Sequence, residues 1–265
     1  MSIFNNKGEL AGVNFKSLDS IDSVIGKYLE VNSFNNIEII LNQGKILSLD
    51  YNDLFNKIEI KKEGGYCFEH NKLFFHALIN SGAKCSASLA RVVYGKTIDV
   101  PKTHRITVLH HQKGNFLVDV GFGAYTPSKM IPLSGEDIVC HNNNRFKVEK
   151  IKENKLSLKV LRGNSFFTLY EFDRNQYSES DFNLSNYYTN THPNSKFIKG
   201  LIISKYTQNS IVFINDLIFS EITKTKRNDL AIGSIKILKE ILLTHFSINL
   251  SANEAEVVYS HSKKF

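Results

Sequence analysis

A chain of 265 residues suits one large domain or two to three small ones sharing a core, and a hydrophobic content of 42% is enough to bury one. No window holds the ~18 consecutive apolar residues a spanning helix needs, the first ten residues lack a basic-then-apolar secretory pattern, and no terminal lipidation motif is present. The formal net charge of +7 permits an anionic partner, but the lysines are scattered and no RNP-like, zinc-finger or basic-helix signature accompanies them, so neither nucleic acid nor a membrane is an expected partner.

The first third reads as helical. From Asp19 to Leu29, residues Ile21, Val24, Ile25, Tyr28 and Leu29 fall on one helix face, with Ser17 or Asp19 as start signals. A short helix is expected over Asp50 to Phe55. Another runs from Glu69 to Ser81, with Leu73, Phe74, Ala77 and Leu78 as its apolar stripe and Gly82 as its stop. The middle third turns to β-branched and aromatic runs: Ser88 to Tyr94, Arg105 to His110, Asn115 to Val120, Phe146 to Glu149, Lys155 to Leu161 and Phe166 to Phe172. Residues 111 to 114 and Gly163-Asn164 read as hairpin turns, and Asn142-Asn143-Asn144 as a loop. Short strands in series predict a small antiparallel sheet or barrel. In the last third, Glu179 to Asn186 reads as helix, Leu201 to Tyr206, Ile211 to Asn215 and Phe219 to Thr223 as a meander, and Ser234 to Phe246 as helix. Helices, then strands, then a mixture make an α+β chain rather than an alternating βαβ one.

Three cysteines, Cys67, Cys85 and Cys140, show no pairing pattern, no CxxC and no histidine at zinc-ligand spacing. That argues against a disulfide framework and against a metal, and fits a reducing cytoplasm. Cys67 stands apart because it follows Gly64-Gly65-Tyr66 and begins a predicted helix. Glycines allow a tight turn, and a helix N-terminus favours negative charge, so the thiol pKa is expected to fall and free N–H groups to be on hand for an oxyanion. Local spacing equally allows Cys67 to be a small buried hydrophobe. A thiolate nucleophile needs a base and an orienting group. His104, at the start of a strand, and Asp119, within the otherwise apolar run Phe116 to Val120, are the candidates. A buried aspartate needs a partner, and His104 on the adjacent hairpin strand is the nearest one. His70 and His76 follow Cys67 on its helix and point away from such an acid. His110 and His111 are expected in solvent, and His192 in a Thr-His-Pro turn. Gly121-Phe122-Gly123 is a weak phosphate signal by itself.

The segment Gly-Gly-Tyr-Cys-Phe-Glu-His-Asn at 64–71, Thr103-His104 before a strand, Val-Asp-Val-Gly-Phe-Gly at 118–123, and Asn186-Tyr187-Tyr188-Thr189-Asn190-Thr191-His192-Pro193 together resemble the arylamine N-acetyltransferase family, over most of the chain from about residue 30. The resemblance implies three parts around a papain-like cysteine-triad core: a helical bundle (1–84) carrying the nucleophile, a β-barrel (85–178) carrying histidine and aspartate, and an α/β lid (179–265). It implies acetyl-CoA as co-substrate and ping-pong acetylation of a small aromatic amine or hydrazine through a Cys67 thioester, with His104 as base and Asp119 as its orienting charge. Phe34 and Phe122 would line the acceptor pocket, near loops such as 94–102. Thr103, Gly123, Ala124 and Thr126 would lie along the CoA path. Either a monomer or a homodimer is compatible.

Two residues depart from the family pattern. Glu63 replaces an arginine before Gly-Gly, and Asn35 replaces the glutamate of Pro-Phe-Glu-Asn. The expectation is that an ion pair was lost as a unit and that Asn35 and Glu63 hydrogen-bond instead. The competing readings are a cysteine-triad hydrolase, an amide synthase or a transglutaminase-like enzyme using another acyl donor, and a non-catalytic binding protein on the same fold.

Overall fold

The computed structural model describes residues 3–264 apart from 6, 43 and 97. Thr97, in the loop expected near the acceptor pocket, lies outside the described residues, as do Met1 and Ser2 of the N-terminal segment.

The Ser17 hydroxyl caps α1 (Leu18–Val31) by accepting from the Ser20 N–H, and all five residues of the expected apolar face are buried. Beyond it come β1 (Phe34–Asn35), α2 (Ile37–Leu41), and α3 (Tyr51–Leu54), which is capped by Asp50 and runs on into a π-helical turn over Phe55–Ile60. Helix α4 (Cys67–Asn80) starts two residues earlier than the apolar stripe indicates, because Glu69 closes a capping box on the Tyr66 N–H. Its stripe packs with α1 in one core that also takes in Leu109, Phe116 and Val118 from the barrel.

The central sheet comprises β2 (Lys84–Val92), β3 (His104–His111), β4 (Gly114–Val118), β5 (Ile131–Pro132), β6 (Ile138–Val139), β7 (Arg145–Lys152), β8 (Lys155–Arg162) and β9 (Ser165–Asp173). Its strand order is β5-β4-β3-β2-β9-β8-β7-β6, antiparallel throughout among the described residues. Ile131 of β5 shares a core with Phe146 and Val148 of β7, so the sheet curls into a nearly closed barrel filled by alternate side chains. The expected strands are all present. Their ends differ in detail: β2 covers Lys84–Val92 rather than Ser88 to Tyr94 and leaves Tyr94 beyond it, and β4 ends at Val118, so Asp119 stands at the strand exit, where its backbone is free to bend toward α4.

The last part holds α5 (Glu179–Thr191), the strands β10 (Ile202–Tyr206), β11 (Ser210–Asn215), β12 (Ile218–Thr223) and β13 (Arg227–Ala231), then α6 (Ile235–Ile241) with a π-helical turn to Phe246, and α7 (Ala252–Ser262). The second sheet has the order β1-β10-β11-β12-β13. Strand β1 thus joins a sheet whose other members lie more than 160 residues later, with Phe34 opposite Ser204. Helix α5 is tied to both other parts through Glu179. It meets Arg105 of β3 at 3.1 Å and Lys72 of α4 at 2.7 Å, while Phe182 lies 4.0 Å from the Arg105 guanidinium. These ties hold α5 against α4 and the start of β3, and Asn71 of α4 bonds Asp119 and Val120 at the exit of β4. The fold is α+β, with a helical part, a barrel and an α/β part around a cysteine.

Candidate functional site

The turn before Cys67 is built from backbone constraints. Gly64 has φ +70°, and a Cβ there would stand 2.2 Å from the Ser33 carbonyl, so only glycine fits. The Asn35 N–H donates to the Gly65 carbonyl at 2.7 Å and the Gly65 N–H to Ser33 at 3.2 Å, pinning the turn to β1. Asn35 also donates through Nδ2 to the Glu63 backbone carbonyl at 2.9 Å. The expected hydrogen bond between Asn35 and Glu63 is therefore present, made to the Glu63 backbone. The Glu63 side chain is exposed, 4.0 Å from Lys61, and the amide of Asn35 needs only a carbonyl to support the turn. The charge at the turn sits elsewhere. Lys57 Nζ lies 2.6 Å from the buried Glu69 and also contacts Glu38.

Tyr66 is locked from α5. Its hydroxyl donates to Asn186, Asn190 Nδ2 donates to that hydroxyl at 2.9 Å, and Asn186 Nδ2 reaches the Leu47 carbonyl at 2.9 Å. The Asn-x-x-x-Asn spacing of 186–190 therefore serves the residue preceding the cysteine. His192 ends the same helix and stacks on Tyr188, a structural place.

Cys67, His104 and Asp119 are each 2% exposed; His104 pairs with Asp119, and the Cys67 sulfur lies against the residue preceding His104. His104 Nε2 donates to Asp119 Oδ2 at 2.6 Å. Asp119 accepts three further bonds: from Tyr170 Oη at 2.9 Å, Asn71 Nδ2 at 2.9 Å and the Gly121 N–H at 3.0 Å. Burial alone would raise its pKa, but the adjacent His104 and these donors hold it below the ordinary carboxylate value. A carboxylate only accepts, so the His104 proton sits on Nε2 and leaves Nδ1 as the ring nitrogen open to a thiol.

The Cys67 thiol lies 3.7 Å from the carbonyl of Thr103, the residue before the histidine. Contrary to the expectation of a lowered pKa, burial and the nearby Asp119 charge push the thiol up, and hydrogen bonds from the backbone of Arg105 and Phe68 offset only part of this. The helix start does favour the anion, but desolvation in a sealed site outweighs it. Gly121 explains the tight closure. A Cβ there would stand 3.0 Å from Cys67 Cα and 2.9 Å from Asn71 Nδ2. The glycine expected to admit a ligand thus admits the backbone of Cys67.

Asn71 and Tyr170 are site residues that sequence reasoning did not single out. Asn71 stands one helical turn after Cys67, and its side chain donates to Arg105 O at 2.7 Å and accepts from the Val120 N–H at 2.9 Å. Only this i+4 spacing within Gly-Gly-Tyr-Cys-Phe-Glu-His-Asn could have marked it. Tyr170 carried no local signal.

Phe122 sits half-buried with its ring 5.0 Å from His104 and 5.0 Å from Tyr170. Phe34 is buried against Phe197, and a Cβ on Gly123 would lie 3.7 Å from its ring. Thr126 Oγ1 accepts from the Phe122 N–H at 2.8 Å, and the Tyr206 hydroxyl donates to the Ala124 and Thr126 carbonyls. His70 is buried away from Asp119, between the Tyr28 hydroxyl and the Ser33 carbonyl. His110 is exposed, while His111 is half-buried and donates to the Phe15 carbonyl, which departs from the solvated place expected. A cleft of about 540 Å³ is lined by Asp19, Asp22, Glu30, Lys129 and His141 among others and by none of the three central residues. Among the described residues, no group of histidine, cysteine and carboxylate side chains could hold a metal ion, and no helix is long and apolar enough to cross a membrane.

Fold and cluster together define the class: an acyltransferase with a cysteine beside a carboxylate-held imidazole. The model of the N-acetyltransferase family matches residues 17–255, and the chain belongs to that family. It is 28% identical over 204 residues to an arylamine N-acetyltransferase of Mycobacterium tuberculosis, covering 75% of this chain and 71% of that one. It is 25% identical over 191 residues to the Escherichia coli enzyme of that name, covering 71% and 67%. In fold it is similar to the Mycobacterium marinum arylamine N-acetyltransferase solved in complex with CoA, with TM-score 0.84 at 22% identity, covering 94% of this chain and 93% of that one.

Proposed function

We propose that this chain transfers an acetyl group from acetyl-CoA to an aromatic amine or hydrazine by a ping-pong route through Cys67. The observation that carries the reading is the His104–Asp119 pair, 2.6 Å apart and sealed beside a thiol on the first turn of α4. Burial disfavours a lone thiolate, so the thiol proton moves to His104 Nδ1 as attack begins, and Asp119 stabilises the imidazolium. The sulfur attacks the acetyl carbonyl carbon and the carbon–sulfur bond to CoA breaks. The CoA thiolate then takes the proton from His104. The acceptor amine attacks the Cys67 thioester, gives a proton to His104, and leaves as the amide with the cysteine restored. General acid–base help of this kind is worth about 10²–10⁴-fold.

In this reading the chain keeps three parts, 1–84, 85–178 and 179–265. Phe122, against the His104 ring, and Phe34 border the acceptor. Thr103, beside the thiol, and Gly123, Ala124 and Thr126 border the donor. The names of the relatives and the CoA held by the M. marinum enzyme support donor and acceptor. Incubation with acetyl-CoA alone, followed by intact mass and peptide mapping, tests the reading. One acetyl group on Cys67, absent in Cys67→Ala and discharged by an aromatic amine, is the expected result. No adduct, with Cys67 still alkylated by iodoacetamide at neutral pH, would move the chain to another acyl donor or to hydrolysis.

A further inference from the structure

Four aromatic rings and two cations continue outward from the proposed active site. The Phe122 ring, in contact with His104, is stacked on Tyr94 at 6.5 Å and 25°. Tyr94 meets Tyr125 at 6.2 Å and Phe167 at 5.6 Å. The Arg162 guanidinium, at the end of β8, lies 3.9 Å from the Phe167 ring centre, 4.7 Å from Tyr125 and 5.3 Å from Tyr94. Lys196 Nζ reaches the same Tyr94 ring at 5.7 Å. All four rings are half-buried.

Arg162 is a charge without a counter-charge. Among the described residues it has no carboxylate within salt-bridge distance, and its Nε–H is buried with no acceptor. Most other buried or half-buried cations here are matched: Arg105 to Glu179, Lys57 to Glu69, Lys102 to Asp173. The residue that aims the cluster is strained. Tyr94 has φ +49°, a left-handed conformation that a bulky residue adopts only when its surroundings impose it. Hydrogen bonds from the Val93 and Tyr94 N–H groups to the Leu169 carbonyl and from Gly95 to Thr168 impose it. The strain puts the Tyr94 ring between Phe122 and Arg162.

We infer that Arg162, assisted by Lys196, is a specificity-determining residue that recognises an anionic substituent on the acceptor. The favoured substrates are then aromatic amines carrying a carboxylate, held by ring stacking on Phe122 and Tyr94 and by the guanidinium fork. The inference rests on the acetyl-transfer reading proposed above. The Arg162 guanidinium, packed among rings and bonded to the Tyr94 hydroxyl, keeps further N–H groups that match a planar carboxylate. A phosphate of the donor has the same charge, and Tyr125 neighbours the proposed donor path, so the experiment must separate the two.

The experiment compares kcat/KM for 4-aminobenzoate and for uncharged 4-methylaniline in the wild type, Arg162→Gln, Arg162→Lys and Lys196→Gln. Each is run with acetyl-CoA and with an activated acetyl ester that carries no phosphate. Loss of a charge-assisted contact is expected to lower the benzoate value about 10- to 100-fold in Arg162→Gln and a few-fold in Lys196→Gln, with 4-methylaniline unchanged for either donor. Arg162→Lys should fall between. Equal loss for both amines, or a wild type that prefers 4-methylaniline, overturns the assignment. So does a higher KM for acetyl-CoA with the ester and both amines unaffected, which would give the cation to the donor phosphates. Lys196 is exposed, so its variant reads the site even if replacing Arg162 disturbs packing. If the wild type acetylates neither amine, the acetyl-transfer reading fails instead. Calorimetric titration of 4-aminobenzoate into wild type and Lys196→Gln then decides the site: weaker binding in the variant supports it, and equal or absent binding overturns it.

Discussion

Asn71 Nδ2 donates to Asp119 Oδ1 at 2.9 Å and to the Arg105 carbonyl at 2.7 Å, while its oxygen accepts from the Val120 N–H at 2.9 Å. One side chain, a turn beyond Cys67, thus fixes the aspartate and both strand ends that carry the His104–Asp119 pair.

Asn71→Ala should therefore act on catalysis as well as on folding. It leaves a buried carbonyl and a buried N–H unpaired, a loss of about 1–3 kcal/mol each. With Asp119 free to turn, kcat should fall on the order of tenfold or more while KM for the amine changes little. Steady-state kinetics beside urea unfolding measure both. A variant with reduced stability and unchanged kcat would make Asn71 a structural bracket only.

The raised thiol pKa gives a second prediction. In the proposed mechanism the proton leaves Cys67 for His104, so iodoacetamide should alkylate the wild type at neutral pH. In His104→Gln the acceptor is gone and burial still holds the thiol up. Alkylation near pH 7 should fall at least about tenfold and then rise on the order of tenfold per pH unit into the alkaline range. A pH profile unchanged by the substitution would show that the helix start alone ionises the thiol.

His70 supplies a pH effect on stability that is separable from Asp119. Its Nε2–H donates to the Ser33 carbonyl at 3.0 Å and its Nδ1 accepts from the Tyr28 hydroxyl at 2.8 Å, which describes a neutral ring. Burial is the main cause that lowers its pKa from 6.5 to about 4. The unfolded chain binds the proton more readily, so this stabilisation is present above pH 6.5 and is lost as pH falls from there through about 4. The loss is on the order of 3 kcal/mol. Asp119, whose pKa is lowered, loses its contribution only further into acid, as pH falls through its depressed value. Unfolding free energies across this range should slope in the wild type and flatten in His70→Gln. A slope kept in His70→Gln would assign it to another group.

How far the chain could be read depended on whether the signal was local. The α1 and α4 stripes, the hairpins and the short polar turns were legible because periodicity and glycine are local properties. So was the approach of His104 to Asp119, since a buried aspartate needs a partner and one hairpin joins them. Strand β1 was not: two residues carry no period, and its pairing with β10 is fixed by packing across the whole chain. Strand β13 is exposed along its length and shows no alternation. Helix α2 is only five residues long, and α7 has a weak apolar face, though its capping box from Ser251 to Glu254 was a usable signal. Tyr170 and Arg162 lie on the β8–β9 hairpin, and which rings and charges they meet depends on barrel closure and on the strained Tyr94, neither visible in spacing.

Glu69 gives the last prediction, because it is both cap and buried charge. Its Oε2 accepts from the Tyr66 N–H at 2.9 Å, and Lys57 lies 2.6 Å from Oε1. Burial raises its pKa despite the lysine. A group with a raised folded pKa lends most stability below its unfolded pKa of about 4.5 and loses it as pH rises through the folded value. Lys57→Met removes the counter-charge and raises that folded value further. At neutral pH the variant should be about 3–5 kcal/mol less stable, since one partner of a buried pair is left alone. The deficit should shrink as pH falls through the raised folded values and be gone by about 4.5, because Glu69 is by then protonated in both folded proteins. The turn before Cys67 shares this cap, so acetylation of Cys67 should weaken in the same variant and recover in Lys57→Arg. A deficit independent of pH would place the cost in lost packing of the lysine stem rather than in the charge of Glu69.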